Sequence, residues 1–415
     1  MKILVISYAY YPSLNPRAFR WTAIAEEWAR KGHEVDVVCE PGAVSKETIN
    51  GVNLHRTGWA RQRRSRVVEP TPRPGGQPTS RNLFINVLRS IWRKLYWPDF
   101  AFPWYLPATR TARALVKASH YDLLISVSVP FTGHLVGLFL KKLLPDLRWV
   151  VDIGDPFSFS EGASANNFGI YSRLNRLTEE AVFRRADAVS VTTDGTLERY
   201  ADIFPFAALK ISMIPPLLSP VYADIATTAR APTDGRIRLV FVGTLYGDIR
   251  SPVGLLTWFR RMLQSDLGGR LELHFYGTAV NCELAFCDHA DLIGQSVFRH
   301  GLVSQAIAAE AMRRCTVLVN IGNATEYQLP SKVIEYAAAA KPVLNFVNSE
   351  RDSSRRFFSQ FAGIETIIGL DWEAPETFDR LKNFLSTAES SHYPERTAGI
   401  AKFASPQIAK RYLEL

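Results

Sequence analysis

At 415 residues the chain is too long for one compact hydrophobic core, so two domains are the natural expectation. Its hydrophobic content of 47% excludes a disordered chain, and no apolar run approaches the length that a membrane span needs. The formal net charge of +9 favours polyanionic partners such as nucleotides, phospholipid surfaces or nucleic acid, without choosing among them.

The cysteines Cys39, Cys282, Cys287 and Cys315 show no CxxC spacing, which indicates reduced thiols in a cytoplasmic protein. Two of them lie near His289, but no second matching pair accompanies them, and we predict no metal site. The first residues, MKILVISYAYYP, contain too short an apolar run for a signal peptide and are typical of a first core strand.

The N-terminal pattern is strand, loop, helix, strand. Ile3–Tyr8 is a short apolar run, a helical repeat of apolar residues follows, and Glu34–Cys39 is the next strand. A parallel unit of this kind has its ligand edge at the first loop, Ala9–Arg20. The loop lacks GxGxxG, so a nicotinamide or flavin dinucleotide is not indicated. Its candidates to meet a substrate, with ordinary solvated side chains as the alternative, are Asn15, Arg17 and Arg20.

The stretch Arg61–Arg81 is rich in Arg, Pro, Gly and Ser, a composition typical of a mobile loop. After it, RNLFINVLRSIWRKLYW has an apolar stripe at helical spacing and basic residues at other positions. Such a helix could lie on an anionic membrane with aromatic residues such as Trp92 in the headgroup layer. It could equally be a core helix with a solvated back.

Two further buried strands lead into polar segments. Tyr121–Val127 precedes SVPFTGH and a helix from about His134, and Trp149–Asp152 runs into DIGDPF. Because the carboxyl ends of parallel strands share one edge, we expect His134, Asp152 and Asp155 to lie together where such sheets bind ligands. An ordinary residue at a helix start is the alternative for His134.

The proline-rich stretch IPPLLSP, followed by DIATTARAPTDGR, marks a connection between domains. A second alternation of strands and helices begins at Ile237, where IRLVFVG is a buried strand that ends at Gly243 and Thr244. The loop after it carries Arg250.

The fold class that follows is α/β, with two Rossmann-like doubly wound domains facing each other across a cleft, where ligands bind. We predict an N-terminal domain over residues 1–218 and a C-terminal domain over residues 237–394. The last helix, residues 395–415, is predicted to cross back onto the first domain.

The stretch YQLPSKVIEYAAAAKPVLNF contains a candidate anion site. Its LPS tripeptide is typical of a loop entering a helix, predicted here over Lys332–Ala339. Lys332 in the first turn is disfavoured by the helix dipole unless an anion also binds, and a phosphate would supply one. Glu335 on about the same face could accept hydrogen bonds from ribose hydroxyls. A surface helix with an ordinary cap is the alternative.

Taken together, these segments resemble the glycosyltransferases of family four, which have two Rossmann-like domains in the arrangement called GT-B. The resemblance covers nearly the whole chain and rests on YPSLNPRAFRWTAIAEEWARKGHEVDVV, ISVSVPFTGHL with VVDIGDPF, FVGTLYGDIRSP, HFYG, FRHGLVSQAIAAEAMRRCTVLVNIG and LPSKVIEYAAAAKPVL. It implies transfer of a sugar from a nucleotide-sugar co-substrate, with retention of anomeric configuration and without an obligate metal or cofactor.

The resemblance also implies that the first domain is the acceptor side and that the second binds the nucleotide-sugar, and it implies roles for residues. A retaining transferase needs cations at the departing diphosphate, where negative charge develops, and Lys332 and Arg250 are the ones offered here. Glu335 matches the family glutamate that binds the ribose. The other donor-side candidates are Leu302 and Val303 at the base, Glu326 near the sugar, and the neutral groups of Gly243, Thr244, Leu329, Pro330 and Ser331.

Three positions depart from the family pattern. A second glutamate is usual eight positions before the ribose-binding one, and Glu326 stands one place off. Many members carry Arg where this chain has Thr244, so Arg250 is taken as its substitute. His134 does not fall at the usual HxH position, and its role at the sugar is a hypothesis.

We therefore predict a cytoplasmic transferase of hexosyl or related groups that acts on a glycan or lipid-linked acceptor in surface polysaccharide or glycolipid biosynthesis. The basic helix would favour peripheral contact with the inner face of the membrane. The predicted catalytic residues are Lys332, Arg250, His134 and Asp155, and the predicted acceptor-binding residues are Asn15, Arg17, Arg20 and Asp152.

Two other classes remain open. A catalytically silent nucleotide- or sugar-binding protein that kept the fold is suggested by the imperfect glutamate pair and Thr244. Nucleic-acid binding through Arg61–Arg66 is not expected, because no aromatic-interleaved platform or reading helix accompanies these residues.

Overall fold

The structure is a computed structural model that describes residues 1–13, 15–58, 95–159, 165–222, 224–226, 234–330 and 332–415. The chain divides into two compact units. The first consists of Met1–Val191, Tyr200–Ser212 and Leu415, and the second of Thr192–Arg199 and Met213–Glu414. The predicted loop Arg61–Arg81 and the predicted basic helix up to Lys94 lie outside the described residues.

The first unit is built on a largely parallel sheet. Its strands are β1 (Lys2–Ile6), β2 (Glu34–Cys39), β3 (Lys46–Ile49), β4 (Val52–Arg56), β5 (Leu123–Val127), β6 (Arg148–Asp152), β7 (Ala188–Val191) and β8 (Ile211–Met213). Its helices are α1 (Pro16–Arg30), α2 (Tyr105–Ala118), α3 (Thr132–Leu143) and α4 (Phe168–Arg185), and α5 (Asp194–Ile203) follows β7.

The strand order of this sheet is β3-β4-β2-β1-β5-β6-β7-β8. β1 pairs in parallel with β2 on one side and β5 on the other, so Ile3 lies opposite both Val35 and Leu123. Central parallel strands are covered on both faces, which explains why Ile3–Ile6 is a continuous apolar run. Because the chain leaves β1 and β5 in opposite directions, their carboxyl ends form the point where such sheets bind ligands.

The second unit repeats this plan. Its strands are β9 (Ile237–Val242), β10 (Leu245–Tyr246), β11 (Leu271–Tyr276), β12 (Ala279–Val280), β13 (Val297–Gly301), β14 (Val317–Ile321), β15 (Val343–Val347) and β16 (Ile364–Ile368). Its helices are α6 (Val253–Met262), α7 (Glu283–Cys287), α8 (Gln305–Arg314), α9 (Val333–Ala338), α10 (Ser353–Phe358), α11 (Pro375–Thr387), α12 (Arg396–Ile400) and α13 (Ser405–Glu414).

The main sheet of the second unit has the order β13-β11-β9-β14-β15-β16, and its neighbouring strands pair in parallel. Alternate residues of β9 enter separate apolar clusters, Leu239 and Phe241 in one and Val240 and Val242 in the other. Burying such a side chain contributes about 1.5–3 kcal/mol. Because successive β9 side chains point to opposite faces of the sheet, this burial stabilises the helices packed on both faces. The predicted α/β class with two Rossmann-like units is confirmed.

The unit boundaries differ in detail from the predicted domains. Thr192–Arg199 and Met213–Leu218 fall inside the predicted first domain but group with the second unit. α13 groups with the second unit too, and its predicted packing on the first unit stays a prediction. The helix predicted over Lys332–Ala339 is shorter, because α9 spans Val333–Ala338 and Lys332 stands at its N-cap position.

Candidate functional site

The second unit has its switch point between β9 and β14, which are neighbours that the chain leaves in opposite directions. After β9, the amide of Gly243 donates to the carbonyl of Tyr276 at 2.9 Å. A Cβ atom on Gly277 would lie 1.9 Å from the Gly243 carbonyl oxygen, and Gly277 has φ +133°. The two strand ends therefore meet backbone against backbone, which only glycine permits.

Arg250 is fixed between the two loops that leave this switch point. Its Nε and Nη2 donate to Asn323 Oδ1 at 3.2 and 2.7 Å, and Nη1 donates to the Thr244 carbonyl at 3.2 Å. Asn323 Nδ2 in turn donates to the Gln328 carbonyl at 3.2 Å. Burial lowers the pKa of Arg250, yet the guanidinium stays charged at neutral pH because its ordinary value is about 12.5 or higher. The result is a half-buried cation held in one orientation.

Lys332 is held by protein groups at the start of α9. Its Nζ lies 3.1 Å from Glu335 Oε1 and 3.4 Å from the Tyr222 hydroxyl. Burial opposes the charge, but Glu335 and Tyr222 outweigh it and raise the pKa of Lys332. With only six residues in α9, a helix dipole is a weak argument for an anion here, and the partner that stabilises Lys332 is Glu335. About a quarter of the lysine side chain remains exposed (24%).

Glu335 has one carboxylate oxygen that is paired and one that has no hydrogen-bond partner among the described residues. Oε1 pairs with Lys332, whereas Oε2 is buried and has no hydrogen-bond partner among the described residues. The side chain is 7% exposed. A buried acceptor without a donor costs about 1–3 kcal/mol, so the arrangement favours a ligand that brings a hydroxyl or N–H group.

The loop of residues 323–330 lies between β14 and α9 and makes hydrogen bonds with several neighbouring segments. The Tyr327 carbonyl accepts hydrogen bonds from Thr193 Oγ1 at 2.6 Å and Thr196 Oγ1 at 3.1 Å. The carboxylate of Glu326 accepts from Ser349 Oγ at 2.7 Å. The exposed side chain of Glu326 is therefore bound to its own unit.

The remaining donor-side candidates divide by exposure. Leu302 is largely exposed and Val303 is half-buried against the core, directly after β13. A cavity of about 210 Å³ adjoins them, lined by Gly243, Tyr276, Arg299 and Gly301 among others. Leu329 is half-buried and Pro330 is buried, while Ser331 lies outside the described residues.

In the first unit, the predicted acceptor residues Arg17 and Asp152 form an internal ion pair. Asp152 Oδ2 accepts from Arg17 Nη1 at 3.1 Å and from Trp21 Nε1 at 2.9 Å, and Oδ1 accepts from Ser190 Oγ at 2.8 Å. Asp152 is 1% exposed. Both of its oxygens are thus engaged by the protein.

The other predicted residues of the first unit are spread over several environments. Asn15 is the N-cap of α1, and its side chain accepts from the Arg17 amide at 2.8 Å. Arg20 is buried, whereas Asp155 is exposed in the turn after β6. Their roles toward a substrate stay predictions.

His134 is fully buried in the first turn of α3. The Trp149 indole donates to Ser126 Oγ at 2.9 Å, and Ser126 Oγ lies 2.8 Å from His134 Nδ1. His134 Nε2 is buried without a hydrogen-bond partner among the described residues, and burial lowers the pKa of the ring to about 3. This environment favours the alternative of a structural histidine over a catalytic one.

Sequence reasoning missed two residues of the site. Asn323 is the second residue after β14, where a polar residue following a predicted strand could have marked it. Tyr222 carries no such signal, because its contact with Lys332 joins positions 110 residues apart.

Within the described ranges, no helix is long and apolar enough to cross a bilayer. In the same part of the chain, no group of three or more His, Cys, Asp or Glu side chains is arranged to hold a metal ion.

Comparison with known proteins gives one family match and several related folds. Residues 18–216 match the model of the glycosyl transferase 4-like domain. No curated protein matches the sequence. Solved structures of similar fold include sucrose-phosphate synthase from Thermosynechococcus elongatus, with TM-score 0.62, 14% identity and coverage of 100% of this chain and 97% of that one.

Two more structures cover 100% of this chain. The lipopolysaccharide outer core galactosyltransferase WaaB has a TM-score of 0.61 and 14% identity, with 98% of its chain covered. Anabaena HepE, described in complex with UDP, has a TM-score of 0.61 and 11% identity, with 99% covered. At these identities the likeness shows the fold.

Proposed function

We propose that the chain, which has the GT-B fold and matches the glycosyl transferase 4-like domain over residues 18–216, is a retaining transferase of hexosyl or related groups. Its donor is a nucleotide diphosphate sugar, and its acceptor is a glycan or a lipid-linked sugar in surface polysaccharide or glycolipid biosynthesis. HepE structures described with UDP and with UDP-glucose support a nucleotide-sugar donor.

The observation that carries this proposal is the unpaired carboxylate oxygen of Glu335 beside the ammonium group of Lys332. A nucleotide-sugar offers both complements, because its ribose has hydroxyl donors and its diphosphate is an anion. The ribose hydroxyls bind Glu335 Oε2, and the diphosphate lies at Lys332.

Lys332 and Arg250 then stabilise the leaving group. Negative charge grows on the diphosphate as the glycosidic bond breaks, and fixed cations stabilise that charge without reorganising during the reaction. Asn323 holds Arg250 in this way, as Glu335 holds Lys332. Neutral donors are proposed from the Thr244 hydroxyl and the amides of Leu329, Ser331 and Lys332, because Pro330 has no N–H group and the Gly243 amide already donates to Tyr276. Leu302 and Val303 are proposed to line the base.

The acceptor side is proposed for the first unit, around Asn15, Arg17, Arg20 and Asp152, with Asp155 exposed at the same sheet edge. His134 and Glu326 are kept as proposals at the sugar. The reaction needs no obligate metal in this proposal, and a cytoplasmic protein with peripheral membrane contact would suit a lipid-linked acceptor.

The test is turnover of a panel of UDP-, GDP- and ADP-sugars, scored both as hydrolysis and as transfer. Lys332→Ala is expected to lower kcat/KM by roughly 30- to 1,000-fold, which corresponds to about 2–4 kcal/mol of lost transition-state stabilisation. Lys382→Ala removes an exposed lysine of α11 and is the matched control, expected to keep wild-type turnover. Absence of turnover with every donor, or an unaffected Lys332→Ala variant, would refute the assignment.

A catalytically silent binding protein is the second candidate. It is favoured by the Glu326 carboxylate, which is already bound to Ser349, and by Thr244 at a position where arginine is usual in the family. Calorimetric binding of a nucleotide-sugar without turnover over a broad acceptor panel would support this candidate against the transferase.

A further inference from the structure

Lys332 contacts a tyrosine that no motif in the sequence marks. Tyr222 ends the short 3-10 helix Pro220–Tyr222, in the segment before β9. The lysine Nζ lies 4.5 Å from the centroid of the Tyr222 ring and 3.4 Å from its hydroxyl. The ring face and the hydroxyl therefore contact the same ammonium group.

We propose that Tyr222 is a positioning residue for Lys332, which holds the ammonium group where the diphosphate of the donor binds and departs. The inference rests on the proposed function and adds to it a residue outside the motifs of the family resemblance. Tyr222 acts through Lys332 and does not itself touch the donor.

Tyr222 is suited to this role because it cannot move easily. It has no exposed surface and belongs to the apolar cluster that also contains Met312 of α8 and Ile334 of α9. Its backbone is fixed on both sides, since its amide donates to Ser219 at 2.9 Å and its carbonyl accepts from Ile225 at 3.3 Å. A ring held in this way gives the flexible lysine a rigid surface.

The number of protons on Lys332 Nζ explains why contacts with both Glu335 and Tyr222 are useful. An ammonium group has three N–H donors on a four-carbon stem with free rotation. Glu335 Oε1 and the Tyr222 hydroxyl accept two of them, which leaves one for a phosphate oxygen. Glu335 alone would fix the distance to one oxygen but leave the stem free to swing. The ring of Tyr222 removes that freedom.

A merely structural tyrosine is the alternative, because any buried aromatic residue supports its core. Phe403 offers a matched comparison, since it is buried in the same apolar cluster. Phe403→Leu removes a ring of similar size from that cluster without removing the tyrosine contact with Lys332. Loss of core packing alone should therefore affect Phe403→Leu and Tyr222→Leu alike.

The experiment is a double-mutant cycle in the full chain with Tyr222→Leu, Lys332→Met and the double variant. Its readouts are kcat and KM for the donor turned over best, and calorimetric binding of UDP, GDP and ADP. Tyr222→Leu is expected to lower kcat about 10- to 50-fold, Tyr222→Phe about 2- to 5-fold because the ring remains, and Phe403→Leu less than about twofold. In the Lys332→Met background, Tyr222→Leu should change kcat less than about twofold.

Equal losses in both backgrounds, or equal effects of Tyr222→Leu and Phe403→Leu, would overturn the role of Tyr222 and leave the proposed function standing. Wild-type kcat in Lys332→Met would overturn both. Should Tyr222→Leu fail to fold, Tyr222→Phe replaces it in the cycle, where a loss of kcat that vanishes without Lys332 supports the proposal and a loss that persists refutes it.

Discussion

Each unit places a cation beside a carboxylate near the carboxyl edge of its parallel sheet, but the two pairs differ in what they leave open. In the first unit, Arg17, Trp21 and Ser190 occupy both oxygens of Asp152. In the second unit, Glu335 has one oxygen on Lys332 and the other without a partner in the described structure. The closed pair has the properties of a structural element, and the open pair those of a ligand site.

The polar residues that surround the pairs differ in burial. His134 in the first unit is fully buried, with Nδ1 within hydrogen-bond distance of Ser126 and Nε2 without a partner among the described residues. Arg250 in the second unit remains half-buried, and Asn323 and Thr244 orient it without neutralising it. Unused hydrogen-bonding capacity is thus present at both His134 and Glu335, and what distinguishes Glu335 is that its unpaired oxygen lies beside the Lys332 ammonium group.

The largest expected effect is on the closed pair. Asp152→Ala should lower the free energy of unfolding by about 3–5 kcal/mol, because it leaves Arg17 without its buried partner. Urea denaturation followed by tryptophan fluorescence measures this. The matched control is Glu34→Ala, which breaks the more exposed pair with Lys2 and should cost less than about 1 kcal/mol. Similar losses in the two variants would mean that the Asp152 pair is not structural.

A substitution in the pair of Lys332 and Glu335 should affect nucleotide binding more than the stability of the fold. Glu335→Gln should weaken nucleoside diphosphate binding about 10- to 150-fold, the range for a lost hydrogen bond to a charged acceptor of about 1.5–3 kcal/mol. The midpoint of unfolding should fall less than in Asp152→Ala, since glutamine keeps an amide oxygen that can accept from Lys332. Calorimetry with UDP, GDP and ADP tests the first statement and thermal unfolding the second. Unchanged affinity for every nucleotide would remove the distinction between the two pairs.

The pH dependence of the unfolding midpoint tests whether His134 in the first unit is a buried, neutral residue. Its folded pKa, about 3, lies below the unfolded value of about 6.5, so its contribution is fully present above pH 6.5 and is lost as the pH falls. At pH 5 about 2 kcal/mol of this stabilisation has been lost. His134→Gln cannot take up that proton and should show a flatter fall of the unfolding midpoint between pH 6.5 and 4.5. Parallel curves for the two proteins would contradict a buried, neutral His134.

The smallest effect is expected at Asn323. Asn323→Ala removes the acceptor for Arg250 Nε and Nη2 but keeps the cation, so kcat should fall about 5- to 30-fold, which corresponds to about 1–2 kcal/mol. Asn383→Ala on α11 is a control with the same chemical change away from this loop. Steady-state kinetics with the best donor would decide, and equal kcat values for the two variants would show that Arg250 needs no holder.

Much of the fold could be predicted from local pattern. The continuous apolar runs of β1 and β9 indicated buried parallel strands, and Gly243 marked the end of β9. Lys332 and Glu335 were predicted to share a helical face, and they are three residues apart and in contact. Such predictions succeed because they depend on periodicity within a few residues.

The rest of the site depends on long-range contacts that local patterns do not encode. Arg17 and Asp152 lie 135 residues apart, so local patterns conceal that they bind each other, and their predicted role toward an acceptor stays a prediction. Periodicity also could not show that the His134 side chain is fully buried. The predicted basic helix, Arg61–Arg66 and Ser331 lie outside the described residues, so membrane contact stays a proposal.

The hydroxyls of Thr193 and Thr196 on the Tyr327 carbonyl have a practical consequence for dissecting this protein. A fragment that starts at Met213 carries Lys332, Glu335, Arg250 and Tyr222 but lacks both threonines. Its binding loop would lose these two hydrogen bonds, so weak nucleotide binding by such a fragment would say little about the intact chain. A fragment meant to isolate the second unit should be supplied with the peptide Thr192–Arg199, in trans or by fusion.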